Sequence, residues 1–178
     1  MLGIDYFEGP LDDNGNELGM SSFVYFNNAA SGPQTDPDNA AQFRNFQTGL
    51  WKDGTPITED GTGYGGTVPT NYVYPSNPSD PAGWSECSES IPGDDRRFVQ
   101  NSGPFTLRNG EFQKITIGAI WVKPDNYGLC PDIEAIIGRA DDRAQFLFDN
   151  NFDKLDGPDA PDLNVRELNE EFIFTLTY

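Results

Sequence analysis

The chain has 178 residues, 29 acidic against 11 basic side chains, a formal net charge of −18 and no histidine. That balance argues against nucleic acid and against an anionic membrane surface, since both want a basic footprint. Without imidazole the chain cannot build a Ser-His-Asp or Cys-His centre, and it lacks the commonest zinc ligand.

Aromatics make up 13% of the chain, alongside 19 Gly and 14 Pro. Such a mix predicts large rings in the core and many turns, in a mainly β fold with long loops. Residues 1–20 are acidic and glycine-rich without a hydrophobic period, and read as a loop. Asp5, Glu8, Asp12, Asp13, Asn14, Asn16 and Glu17 offer the oxygen ligands that calcium requires. Phe7 sits where D-x-[DN]-x-[DN]-G wants a ligand, and a solvated acidic turn is the competing reading. Residues 21–27, SSFVYFN, are aromatic and β-branched and predict a buried strand.

Residues 36–51 predict a helix. Asp36 can cap it, Pro37 suits the first helical position, and Ala40, Phe43, Phe46 and Leu50 recur at helical spacing. Residues 52–95 are a long irregular stretch, a length that often carries function. Trp51, Tyr64, Tyr72 and Trp84 lie in or beside it. They either line a ligand-binding surface or pack the loop down as anchors. The glycine-rich segment 61–66 lacks the Gly-Lys-Ser/Thr ending of a phosphate loop.

Arg97–Asn101, Phe105–Arg108 and Phe112–Val122 predict strands, the last two joined at Asn109-Gly110, a strong hairpin signal. Asp94, Asp95, Arg96 and Arg97 form a charge cluster, read as a pin between loop and sheet or as a ligand binder. Residues 131–149 predict a second helix with Ile133, Ile136, Ile137, Ala140, Ala144 and Leu147 on one stripe, ending left-handed at Asn150 or Asn151. Residues 156–161 read as a linker. Two strands follow, 163–166 and 171–178, and the apolar last one leaves an edge needing a partner.

The two cysteines, Cys87 and Cys130, lack metal-type spacing. They read as a disulfide if the chain is exported, or as two buried thiols. No apolar run approaches the roughly 20 residues of a membrane span. The start Met1–Asp5 lacks the pattern of a signal peptide, so if the protein is secreted its signal is expected upstream.

GDDRRFVQNSGPFTLRNGEFQKITIGAIWV, followed by ADDRAQFLFDNNF and LDGPDAPDLNV, resembles a segment of large exported proteins of the Bacteroidetes. Such proteins often end in type IX secretion signals. LGMSSFVYFNN and GLWKDGTPITEDGTGYGGTVPTNYVYP resemble the same segment, so the similarity spans most of residues 18–166. The resemblance implies a secreted or surface-attached multidomain protein, with an acidic calcium-type loop before the first strand, and it brings no catalytic residues. PDAPDLNVRELNEEFIFTLTY is similar to the opening strands of a fibronectin type III-like module.

The expectation is therefore a β-sandwich or jelly-roll-like module over 21–153, preceded by the acidic loop 1–20 and followed at 154–178 by a linker and either a further module or returning edge strands. Its expected role is structural or adhesive and non-catalytic, outside the cell, beside neighbouring domains of a larger chain. One alternative is a carbohydrate-binding accessory domain of a secreted glycan-degrading enzyme, its rings stacking on glycans. Another is a self-assembling subunit that donates its last strand to a neighbour.

Overall fold

The computed structural model describes residues 1–28, 31–123, 128–152, 162–168 and 171–177. In chain order the elements are β1 (Leu2–Glu8), β2 (Met20–Asn27), α1 (Ala40–Gln47), β3 (Arg96–Ser102), β4 (Thr116–Trp121), a π-helical turn (Glu134–Gly138), α2 (Arg139–Asp149), β5 (Asp162–Leu168) and β6 (Glu171–Thr177). The chain divides into two compact units, Met1–Gln145 and Phe146–Tyr178. The regular structure is mainly β. Among the described residues it consists of antiparallel pairs, β1–β4, β2–β3 and β5–β6, rather than the broad layers expected of a sandwich.

The first correction concerns residues 1–20. Their opening is a strand, not a loop. Leu2, Ile4 and Tyr6 alternate with Gly3, Asp5 and Phe7, a period of two that the acidic composition obscures. Leu2 faces Trp121, Ile4 faces Ala119 and Tyr6 faces Ile117. The Phe7 ring lies over Gly118, where a Cβ would come within 2.1 Å of it, so a larger residue there would displace that ring.

That pairing also replaces the expected hairpin. The Asn109-Gly110 turn closes, with Glu111 N–H donating to Arg108 C=O at 3.0 Å and Gly110 at φ 87. Its flanks form no ladder with one another. Gln113 instead exchanges two hydrogen bonds with the Leu11 backbone, at 2.9 and 3.1 Å, and Arg108 pairs with Asp13 at 3.1 Å. Polar side chains thus fasten 108–113 to the 11–13 turn, and Pro104 has no N–H to offer a ladder.

In the β2–β3 ladder, Val24 faces Val99 and Tyr25 faces Phe98. α1 is shorter than expected. The Asp36 carboxylate is held by Arg97 at 2.8 Å and its carbonyl by Lys52 at 2.7 Å, so the cap passes to Asn39, which accepts from Gln42 N–H. Gly49, at φ 73, ends the helix before Leu50. Of the expected stripe only Phe46 is buried, while Phe43 is exposed. Asn101 of β3 donates to Phe46 C=O at 3.0 Å, adding a tie from the sheet to a carbonyl that also accepts from Gly49 N–H at 3.2 Å.

Val24, Tyr25, Phe46, Trp51, Ile57 and Val73 form the core, with Phe26, Tyr74, Trp84 and Val99 packed against it. Fully burying rings such as Trp51 and Phe46 stabilises by about 2–3 kcal/mol each. The two sheets of this unit are tied by Tyr6 Oη donating to Gln100 C=O at 2.9 Å and Gln100 Nε2 donating to Ile4 C=O at 3.2 Å.

The expected second helix begins as the π-helical turn, with Asp132 accepting from Ala135 N–H at 3.2 Å. Beyond α2, Asn151 takes the expected left-handed conformation at φ 51. In the second unit β5 and β6 pair directly, Leu163 opposite Leu176 and Val165 opposite Phe174. The linker expected at 156–161 lies outside the described residues.

Candidate functional site

The acidic segment does not gather its oxygens. Asp5 accepts from Tyr6 N–H, and Glu17 accepts from Gly9 N–H at 2.6 Å. Glu8 holds Lys114 at 2.7 Å and Thr116 at 3.0 Å, and these partners keep its carboxyl below the usual range. Asp12 accepts from Asn16 and Asn14, which lower it likewise, and Asp13 holds Arg108. Asn14 and Asn16 thus serve an Asp-led turn. Among the described residues no group of three or more Asp, Glu or Cys side chains is placed to hold a metal ion.

The four candidate rings do not form a sugar-stacking platform. Trp51 has no exposed surface, and its Nε1 donates to Gly63 C=O at 2.7 Å. Trp84 packs against the core and donates to Gly61 C=O at 3.1 Å. The two indoles clasp the glycine-rich loop: a Cβ on Gly63 would lie 3.0 Å from Trp51 and 3.3 Å from Trp84. Tyr72 is half-buried and bonds Met20 C=O at 2.6 Å. Only Tyr64 of the four is exposed, with its hydroxyl on Asp53 at 2.8 Å. Trp51 in particular is removed from the ligand-binding set, because a long loop needs a buried anchor and this ring is it.

Cys87 and Cys130 form a disulfide, with Cα atoms 5.7 Å apart. It joins the long loop to the segment that enters the π-helical turn. Beside it opens a cavity of about 430 Å³. Its floor is the ring-bearing face of the β2–β3 ladder. Phe23 and Phe98 stack at 5.6 Å, and Tyr25 stacks on Tyr74 at 5.6 Å. Cys87, Pro131 and Ile133 supply the opposite wall.

Two features of this cavity depart from ordinary packing. Tyr74 sits at φ 51, in the left-handed region that a bulky residue enters at a cost of about 1–3 kcal/mol. Its hydroxyl is buried and lies beside the Tyr25 hydroxyl, in a contact too poorly formed to satisfy it as a regular hydrogen bond. Burial pushes the Tyr74 phenol well above its ordinary range, with the Tyr25 hydroxyl adding to the effect.

The charges at the rim are paired. Arg96 donates to Glu86 at 2.8 Å, to Pro92 C=O at 2.9 Å and to Asn27 Oδ1. Arg97 pairs with Asp36 at 2.8 Å and Asp95 at 3.5 Å. The charge cluster thus acts as a pin, with Asp95 as one partner within it and Glu86 and Asp36, which sequence proximity did not single out, as the closer ones. Sequence reasoning also missed Phe23, Tyr25 and Phe98 as site residues. Their alternation along β2 and β3 was the available signal.

Among the described residues no helix is long and apolar enough to cross a membrane. Compared with known proteins, the chain matches no family model, no curated protein and no solved structure.

Proposed function

We propose that the chain is a non-catalytic, disulfide-held structural or adhesive module of a larger exported surface protein. The Cys87–Cys130 bridge carries this reading, because such bonds persist in oxidising, extracytoplasmic surroundings. A net charge of −18 and the lack of histidine support a role in cohesion and solubility rather than in acid–base chemistry. In this reading the β1–β4 and β2–β3 pairs are the halves of a small sandwich-like body.

The bridge closes a separation of 43 residues. Chain-entropy arguments assign such a closure about 4 kcal/mol. Thermal melting with and without reductant tests the reading. Reduction is expected to lower the Tm by roughly 10 °C. An unchanged melt under full reduction overturns it. A chelator arm separates out metal dependence, and no shift is expected there because the acids at 5–17 already have protein partners.

The second unit favours one further reading, self-association by strand addition. An isolated two-stranded hairpin is marginal in water, and Leu163, Val165 and Phe174 share one exposed face of it. Sizing over a range of concentrations tests this, and a concentration-independent monomer rejects it.

A further inference from the structure

We propose that the cavity between the β2–β3 ladder and the disulfide wall binds an uncharged ring compound of small-molecule size. This assignment is independent of the structural-module reading. Four observations carry it.

The first is size and lining. About 430 Å³ lies within the range of small-ligand sites. Phe23, Tyr25, Tyr74 and Phe98 line the floor, stacked in two pairs, and make an aromatic surface of the kind against which a small ring compound packs.

The second is charge. Both arginines at the rim are matched by carboxylates, Arg96 by Glu86 and Arg97 by Asp36. The Tyr25 face already carries a cation, since the Arg96 guanidinium stands 5.0 Å from the ring centroid. An incoming anion finds no unpaired cation, and an incoming cation meets an occupied ring. An ion would also lose its hydration against apolar walls. A neutral guest escapes all three penalties.

The third is the Tyr74 hydroxyl, a buried group with no well-formed hydrogen bond, whose polar neighbour is the Tyr25 hydroxyl on the same cavity floor. A guest carrying a single neutral acceptor offers that O–H a better-aligned partner after a small rotation of the ring. The fourth is the backbone of Tyr74, held at φ 51 beside the cavity. Strained conformations of this kind gather at ligand clamps.

The test uses the full chain and N-phenyl-1-naphthylamine, an uncharged fluorophore. Saturable one-to-one binding is expected. 1-Naphthoate and 1-naphthylmethylammonium are expected to bind at least about tenfold more weakly, because each carries a charge into an apolar site. Ile133→Trp, which fills the cavity from its wall, is expected to cut affinity at least about tenfold. Phe112→Ser, on a ring 87% exposed and outside the lining, leaves affinity unchanged. Amide shifts in the unmutated chain map the site without relying on a variant's folding, and they are expected at Phe23, Tyr25, Tyr74 and Phe98. The proposal is overturned by an absence of saturable binding, by an ionic analogue binding as tightly, by a folded Ile133→Trp binding as well as the parent, or by shifts confined to other surfaces.

Discussion

The Arg96 guanidinium lies 5.0 Å above the centroid of the Tyr25 ring while its Nε donates to Glu86 at 2.8 Å. One side chain therefore ties β3 to the core ring of β2 and to the loop that carries Cys87. Arg96 is mostly buried, with 21% of its side chain exposed, whereas Glu86 is 42% exposed. The pair is thus partly screened by solvent. Arg96→Ala is expected to destabilise by about 2–3 kcal/mol, through the lost cation–π contact, the lost hydrogen bonds and the unpaired Glu86. Arg96→Lys recovers only part of this, because an ammonium cannot serve Glu86, Asn27 and Pro92 in the fork geometry of a guanidinium. Denaturant melts of the two variants check the order. Equal stability of Lys and Arg at this position would contradict it.

Trp51 and Gly63 make a second linked pair. Trp51→Phe keeps a buried ring but removes the indole hydrogen bond to the Gly63 carbonyl, which still accepts from Thr58 N–H at 2.9 Å, at an expected cost of about 0.5–1.5 kcal/mol. Trp51→Ala opens a cavity and is expected to cost about 3–5 kcal/mol. Gly63→Ala is destabilising for a separate reason: φ is +84 and the new methyl would stand 3.0 Å from the indole. Because both changes act on one contact, the double variant Trp51→Phe/Gly63→Ala is expected to lose less than the sum of the singles. Strict additivity in urea titrations would show that the clasp is not a unit.

Acid stability follows from opposing carboxyls. The Asp132 carboxyl is lowered by the Asn77 amide, at 2.8 Å, and by the Ala135 N–H. Its folded pKa lies below the unfolded one, so its contribution is present above the unfolded pKa and is lost as pH falls through the folded value. Asp141 is the reverse. Burial raises it, and Asp5 and Asp142 push in the same direction. Its charged form therefore weakens the fold at neutral pH, and that penalty lifts as pH falls through the raised folded pKa toward the ordinary aspartate range. Asp141→Asn is expected to raise the Tm at pH 7 and to leave it unchanged in strong acid. Asp132→Asn is expected to lower it at pH 7. Calorimetric melts across the acid range check both signs.

Much of the local structure was legible. The strand at 20–27, a helix through Phe46, a helix ending left-handed at Asn151 and strands on either side of residue 170 all follow from spacing and propensity. β1 was obscured because Asp5 and Glu8 give that segment the look of a solvated turn, although its Leu-x-Ile-x-Tyr alternation is a strand pattern. The hairpin at Asn109-Gly110 failed for a different reason. The turn formed, but Gln113 and Arg108 found partners about a hundred residues earlier. Trp51 and Trp84 anchor the long loop, and nothing in the spacing of the candidate rings told which of them would.

By itself the sequence determined the acidity, the lack of imidazole chemistry, the ring-rich composition and the period of most elements. These depend on residue type and on neighbours a few positions away. The tertiary structure alone decided that Leu2 would face Trp121, that Arg96 would turn to Glu86 and Tyr25, and that Tyr74 would stand beside a cavity closed by Cys87. Those outcomes were settled by competition between partners distant in the chain, where packing, charge pairing and close approach override local preference.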